Sequence, residues 1–263
     1  MDVQGGAMHE LEIAKIDLVI TNRALARLGA VDAYGHVSLR HPSDPTKFLL
    51  SRSLSPEFVE REDLMTFNLD GTKADNGDNR GPYLERFIHA GVYAARPDVH
   101  AVVHGHAPPI LPFTVSDTPM KIVYFGANEV GSSPPVWDIR DKFGDTNMLI
   151  ANMDHANDLA ACLDQHRIVF LRGHGFVGAA RSAIRLIRQC KAMMINATML
   201  LDAMRLGAVK ELTPGEIAAR SAEVGNEDSY ATFRGFEYEA RLAGLMDLLK
   251  ERAAHMKALD DQY

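Results

Sequence analysis

Apolar positions along the chain change period several times, and each change marks an element. Over residues 11–28, Leu11, Ile16, Ile20, Ala24 and Leu28 fall near helical spacing and Gly29 supplies the stop, which predicts an amphipathic helix. His36–Arg40 and Lys47–Ser51 read as short strands around the turn-rich His41-Pro42-Ser43-Asp44-Pro45. Residues 64–69 read as a third strand, ended by the hairpin pair Asp70-Gly71. A polar loop follows over 75–82. Residues 82–95 are expected to be helical, opening on a proline and stopping before Pro97. Residues 101–104 read as a buried strand, 121–125 as another, and 128–145, rich in Gly, Pro and Ser, as loop.

The second half is more helical. Residues 154–165 read as a helix and Ile168–Leu171 as the strand after it. The longest pattern runs over 181–206, with Ile187, Cys190, Met194, Ala197, Leu201 and Met204 on one face and Gly207 at its end. Thr213-Pro214-Gly215-Glu216 is a capping-box start, and 235–256 is again helical. No internal repeat or low-complexity linker interrupts this order. The pattern predicts one α/β domain over residues 1–263, with helices flanking a central, mostly antiparallel sheet of short strands.

Composition narrows the class of partner. Of 263 residues, 46% are hydrophobic and 24% charged, and the net charge is −7. That is an ordinary soluble composition, without the clustered basic face that nucleic-acid binding needs. No apolar run is long enough to span a membrane, and residues 1–10 lack the basic-then-apolar pattern of a signal peptide. Cys162 and Cys190 have no paired spacing, so reduced thiols and a cytoplasmic location are expected.

The candidate chemistry sits in Val103-His104-Gly105-His106 and, far downstream, Arg172-Gly173-His174-Gly175. In an extended strand, residues two apart point to one side, so His104 and His106 can grip a single ion. His174 follows the apolar run Ile168–Leu171 and lies between glycines that permit close backbone approach. Three imidazoles with room for a carboxylate and substrate make an open metal site. On spacing alone, separate hydrogen-bonded histidines near strand ends are an equal reading.

These pieces, in this order, resemble the class II aldolase/adducin family over roughly residues 11–249. The resemblance rests on Gly35-His36-Val37-Ser38-Leu39-Arg40, Ser51-Arg52-Ser53, Asp70-Gly71, Leu84-Glu85-Arg86-Phe87-Ile88-His89, Arg96-Pro97-Asp98-Val99, and the two histidine segments. It implies a class II aldolase-like fold. It also implies that His104, His106 and His174 bind one divalent metal per chain, with Mn²⁺ favoured and Zn²⁺, Fe²⁺ or Co²⁺ as alternatives. Glu85 is the implied catalytic carboxylate, as metal ligand or proton carrier. A glutamate in the first turn of a helix is also favoured by the helix dipole alone.

The departures from the family carry as much information. Its sugar-phosphate members hold phosphate with an asparagine, a small hydroxyl residue, a glycine and two serines. The corresponding positions here are His36, Ser53, Leu54, Tyr83 and Leu84. Backbone cradles for phosphate need small residues and close approach. Arg52, Arg80 and Arg86 can fork carboxylates, and Tyr83, Leu84, Leu54 and Trp137 can flank a ring. The pattern resembles the family's decarboxylase branch. The implied substrate is an ortho-hydroxylated aromatic dicarboxylate, first 3-hydroxy-2-methylpyridine-4,5-dicarboxylate of vitamin B6 breakdown, then a dihydroxyphthalate. An aldolase or epimerase on an unphosphorylated substrate and a non-catalytic interaction domain are the alternatives, the latter opposed by the intact histidines and Glu85. The resemblance further implies a homotetramer or a pair of tetramers. Tyr230, Phe233, Phe236 and Tyr238 are the candidate contact, with packing inside the chain an equal reading.

Overall fold

A computed structural model describes residues 3–223 and 230–260. Among these, the strands are β1 (His36–Arg40), β2 (Lys47–Ser51), β3 (Leu64–Asn68), β4 (Ala101–Gly105), β5 (Val136–Trp137), β6 (Ile168–Leu171) and β7 (Gly175–Ala180). They form one sheet in the order β3-β2-β1-β4-β7-β6-β5, antiparallel throughout except where β5 meets β6. The helices are α1 (Val3–Leu28), α2 (Arg86–Ala95), α3 (Leu111–Thr114), α4 (Arg140–Phe143), α5 (Met153–Leu163), α6 (Ala183–Leu206), α7 (Pro214–Glu223), α8 (Tyr230–Leu242) and α9 (Met246–Asp260). This is the class II aldolase-like α/β architecture that the sequence implies.

Strand alternation sorts the core onto two faces. Ala101 and Val103 of β4 join an apolar cluster with Ile16, Ile20 and Leu25 of α1 and Leu186, Cys190 and Met193 of α6. Val102 faces the other way, with Ile88 and Val92 of α2 and Leu159 and Leu163 of α5. His104 continues the parity of Val102, so its ring lies on the α2 side of the sheet.

Several elements differ from the sequence expectation. Helix α2 begins at Arg86, not at 82, because Pro82 pairs with Arg52 in an antiparallel bridge and Ser53 N–H donates to Gly81 O at 2.8 Å. Residues 121–125 form no strand. Their backbone is bonded by a helix side chain: Asn196 of α6 accepts from Val123 N and Tyr124 N and donates to Lys121 O. The expected loop 128–145 contains β5 and α4. Strand β7 was not expected, since Gly175-Phe176-Val177-Gly178-Ala179-Ala180 has weak strand propensity. The single helix expected over 235–256 is two, broken at Gly244, where φ is +76°. No helix among the described residues is long and apolar enough to cross a membrane.

Arg40 locks the far end of β1 against α2. Its buried guanidinium donates to the carbonyls of Val99, Pro45, Tyr93 and Arg96 at 2.7–3.0 Å. Two of these lie at the C-terminal end of α2, where a cation complements the helix dipole. Replacing Arg40 with methionine keeps the stem and strips four carbonyls of their donors. We expect a stability loss of about 3 kcal/mol in urea unfolding. A loss below about 1 kcal/mol would mean that water replaces the guanidinium without cost.

Candidate metal centre

Register brings the histidines together. β1 and β4 pair so that His36 lies directly opposite His104. β4 pairs with β7 on its other side, setting Gly105 opposite Phe176, and His174 occupies the β6–β7 turn. That turn needs two glycines. Gly173 has φ +62°, and a Cβ on Gly175 would lie 2.3 Å from Gly105 O. The result is a cluster at one end of the sheet, with ring centroids 4.8 Å (His104–His106), 4.9 Å (His104–His174) and 5.1 Å (His106–His174) apart.

Each ring has one side held by the protein. His104 Nδ1 lies 3.0 Å from Phe176 O, His106 Nδ1 lies 2.9 Å from Asp32 Oδ1, and His174 bonds to the Met148 backbone. Such bonds fix the tautomer and present the opposite nitrogen as a lone pair. His104 Nε2 is buried with no hydrogen-bond partner, which is costly for a polar atom unless something else satisfies it. Burial pushes the His104 ring well below its ordinary range and brings His174 down to about 4, so both stay neutral, as ligands must. The ligand atoms of His104, His106 and His174 lie within 4.8 Å of one another. This set fits a divalent ion.

Glu85 takes the N-cap position of α2 and turns its carboxylate inward. Oε1 accepts the Ile150 N–H at 3.0 Å, and Oε2 lies 3.6 Å from His104 Nε2 and 3.8 Å from His174 Nε2. Burial raises its pKa, opposed by the Ile150 N–H and by His106. His36, Glu85 and His104 form a second group whose ligand-type atoms lie within 4.8 Å.

The expected substrate contacts divide. Tyr83 joins the site: its ring lies 4.6 Å from His36, and its hydroxyl donates to Leu54 O. Leu84, next to Glu85, is 53% exposed. Arg52 is half-exposed, with Nε donating to Asp63 Oδ1 at 2.6 Å, which leaves its terminal nitrogens available; Ser53 beside it is exposed. Arg80 does not join the histidines. It is committed to Asp78 and to the carbonyls of Glu62 and Leu64, stitching its own loop. Arg86 bonds to Gly71 O and Tyr83 O. Trp137 is only 6% exposed, and its indole donates to Asp158 Oδ2 at 2.9 Å; it packs in the core and offers no face for a substrate ring.

Sequence reasoning missed Asp32. It accepts the N–H groups of Tyr34 and Gly35 at 3.0 Å as well as His106. Burial raises its carboxyl, but these bonds outweigh burial and hold it below the usual range. The available signal was its place in the turn just before the Gly35-His36 strand. His89, Ser38 and Tyr93 were also missed, their polar atoms being buried behind His36.

A three-histidine cluster that could hold a metal ion thus lies beside a buried carboxylate at one end of a mostly antiparallel sheet. Residues 16–201 match the family described as Class II Aldolase and Adducin N-terminal domain, and the chain belongs to that family. Decarboxylase tropJ of Talaromyces stipitatus is 30% identical over 196 residues, covering 70% of this chain and 74% of its own. The 3,4-dihydroxyphthalate decarboxylase of Arthrobacter keyseri is 27% identical over 220 residues, covering 78% and 85%. The solved structure of L-fuculose 1-phosphate aldolase from Glaciozyma antarctica PI12 has a TM-score of 0.72 at 21% identity, covering 90% of this chain and 92% of that one. The last likeness concerns the fold alone. The chain is a carbon–carbon lyase on the decarboxylase branch of its family.

Proposed function

We propose that the chain removes CO₂ from an aromatic dicarboxylate bearing a hydroxyl next to the departing carboxylate. The observation that carries this is Tyr83. Its ring packs at a tilt against His36, and its hydroxyl donates to the Leu54 carbonyl, filling the loop where a phosphate cradle needs small residues. The remaining surface is apolar (Leu84) and cationic (Arg52), which suits a planar, unphosphorylated polyanion. The class includes dihydroxyphthalates, which the name of the Arthrobacter keyseri relative supports, and 3-hydroxy-2-methylpyridine-4,5-dicarboxylate of vitamin B6 breakdown, which the sequence favours. Parallel assays on the two distinguish them, and removal of the ring hydroxyl abolishes turnover in either case.

His104, His106 and His174 hold the divalent ion, with Mn²⁺ favoured. When bound, it supplies Lewis-acid stabilisation of negative charge on a substrate oxygen. The protein's own groups do the rest. Glu85, whose burial favours the protonated form, delivers a proton to the ring carbon that carries the departing carboxylate. The electrons of the breaking carbon–carbon bond return to the ring as CO₂ leaves, so the proton ends in place of the carboxylate. His36 and Arg52 hold the carboxylate that stays.

Two further expectations belong to this reading. Both cysteines are free, which supports a reducing, cytoplasmic compartment. Assembly into a homotetramer or a pair of tetramers is expected, although not through all the aromatic residues first considered. Phe236 is buried in its own chain's core with Phe233 packed against it. The Tyr230 side chain lies outside the described residues, and Tyr238, 52% exposed, remains available. Light scattering should give a mass of four or eight chains; a fully active monomer would contradict it.

A further inference from the structure

Behind His36 runs a continuous chain of buried polar groups. His36 Nδ1 lies 2.6 Å from His89 Nε2, and His89 Nδ1 lies 2.6 Å from Ser38 Oγ. Ser38 Oγ lies 2.9 Å from the Tyr93 hydroxyl. His36, Ser38, His89 and Tyr93 are all buried, on β1 and one face of α2. Each group has a fixed number of protons, so one end of the chain sets the direction of the whole.

That end is Tyr93. Its hydroxyl proton has two acceptors within reach, Ser38 Oγ at 2.9 Å and His100 O at 3.5 Å. The bond to the His100 carbonyl is at the 3.5 Å limit of a useful hydrogen bond, whereas Ser38 Oγ lies at an ordinary hydrogen-bond distance. The proton therefore goes to Ser38. Ser38 must then donate its own hydrogen to His89 Nδ1. A neutral imidazole that accepts at Nδ1 carries its proton on Nε2, so His89 donates to His36 Nδ1. By the same rule, His36 carries its proton on Nε2, the nitrogen left free on the side of Glu85 and His104.

We propose that Tyr93, Ser38 and His89 fix His36 as an Nε2–H donor aimed into the site, and that His36 consequently holds an anionic substrate oxygen and is not a metal ligand. His89 is a positioning residue: it touches no substrate and acts through His36. The assignment separates the two overlapping clusters. His104, His106 and His174 present lone pairs, whereas His36 presents a hydrogen. A polyanionic substrate is thereby oriented between a cation on one side and a rigid neutral donor on the other. The substrate part of this inference rests on the function proposed above; the tautomer does not.

The test is nitrogen NMR of histidine-labelled protein, metal-loaded and metal-free, with the His36→Asn variant identifying the His36 signals. The expected result is a proton on His36 Nε2 in both forms, and one metal per chain retained in His36→Asn. Ser38→Ala and His89→Leu should lose the tautomer preference and weaken 3,4-dihydroxyphthalate binding about tenfold in calorimetry, with metal content unchanged. His89→Gln offers an acceptor to Ser38 and a donor to His36, and should restore both readouts. Should His89→Leu fail to fold, Ser38→Ala carries the test. A proton on His36 Nδ1 in the native protein, or loss of metal from a folded His36→Asn variant, would overturn the inference. The expected tautomer without decarboxylation of any aromatic acid would sustain it and fail the substrate reading alone.

Discussion

Replacing His104 or His174 with alanine will remove the metal and the activity together. On the proposed reading the three histidines supply the protein donors of one open site, and native protein should carry about one divalent ion per chain. His104 Nε2 has no hydrogen-bond partner among the described residues, a need that a bound ion would meet. Two donors cannot hold what three hold, and affinity should fall by well over about 100-fold, beyond the loss typical of an outer partner. Asp32→Asn supplies that comparison. It keeps the turn but weakens the bond that orients His106, and should cost about 10–100-fold in metal affinity with the fold intact. Metal analysis after dialysis, with far-UV circular dichroism to confirm folding, checks all three variants. Full metal content in both alanine variants would remove the assignment.

Glu85→Gln will leave the fold and most of the metal in place and lower turnover by about 10²–10⁴-fold. Glutamine keeps the oxygen that accepts the Ile150 N–H, so the start of α2 and the adjoining loop remain anchored. It loses the exchangeable carboxyl proton. A purely structural glutamate, present only to favour the helix dipole, predicts near-native turnover, because the amide retains the same packing. The split between metal content and turnover therefore separates the two roles. Turnover close to native would mean that the proton comes from another group.

The sequence carries the site more clearly than the sheet around it. His104 and His106 stand out because strand period and metal spacing coincide, whereas Glu85 is marked only by the family resemblance, its place at the start of a helix being equally explained by the dipole. The neighbouring strand β7 does not stand out, because its glycines Gly175 and Gly178 answer to close contacts with Gly105 and Val103, not to strand propensity. Residues 121–125 look like a strand but are satisfied by Asn196, a long-range partner that no local window contains. Helix α1 is blurred for a different reason. Its residues from Ile16 to Ile20 are buried all round, including Asp17, which pairs with Arg252 of α9 at 2.6 Å. Asp32, His89 and Tyr93 are ordinary residues in sequence and acquire their roles only through register and the packing of α2. Trp137 and Arg80 show the converse: suitable chemistry in sequence, engaged elsewhere by Asp158 and Asp78.

The most direct test of the central claim is product analysis of the Mn²⁺-loaded protein on matched substrates. Two hydroxylated aromatic dicarboxylates, 3,4-dihydroxyphthalate and 3-hydroxy-2-methylpyridine-4,5-dicarboxylate, and an analogue lacking the ring hydroxyl would be run beside a ketose 1-phosphate. Released CO₂ would be measured for the acids and aldehyde for the sugar. The account predicts CO₂ from at least one hydroxylated acid, none from the analogue without the hydroxyl, and no cleavage of the sugar phosphate. Robust cleavage of the ketose 1-phosphate, with no CO₂ from any hydroxylated aromatic dicarboxylate, would contradict it.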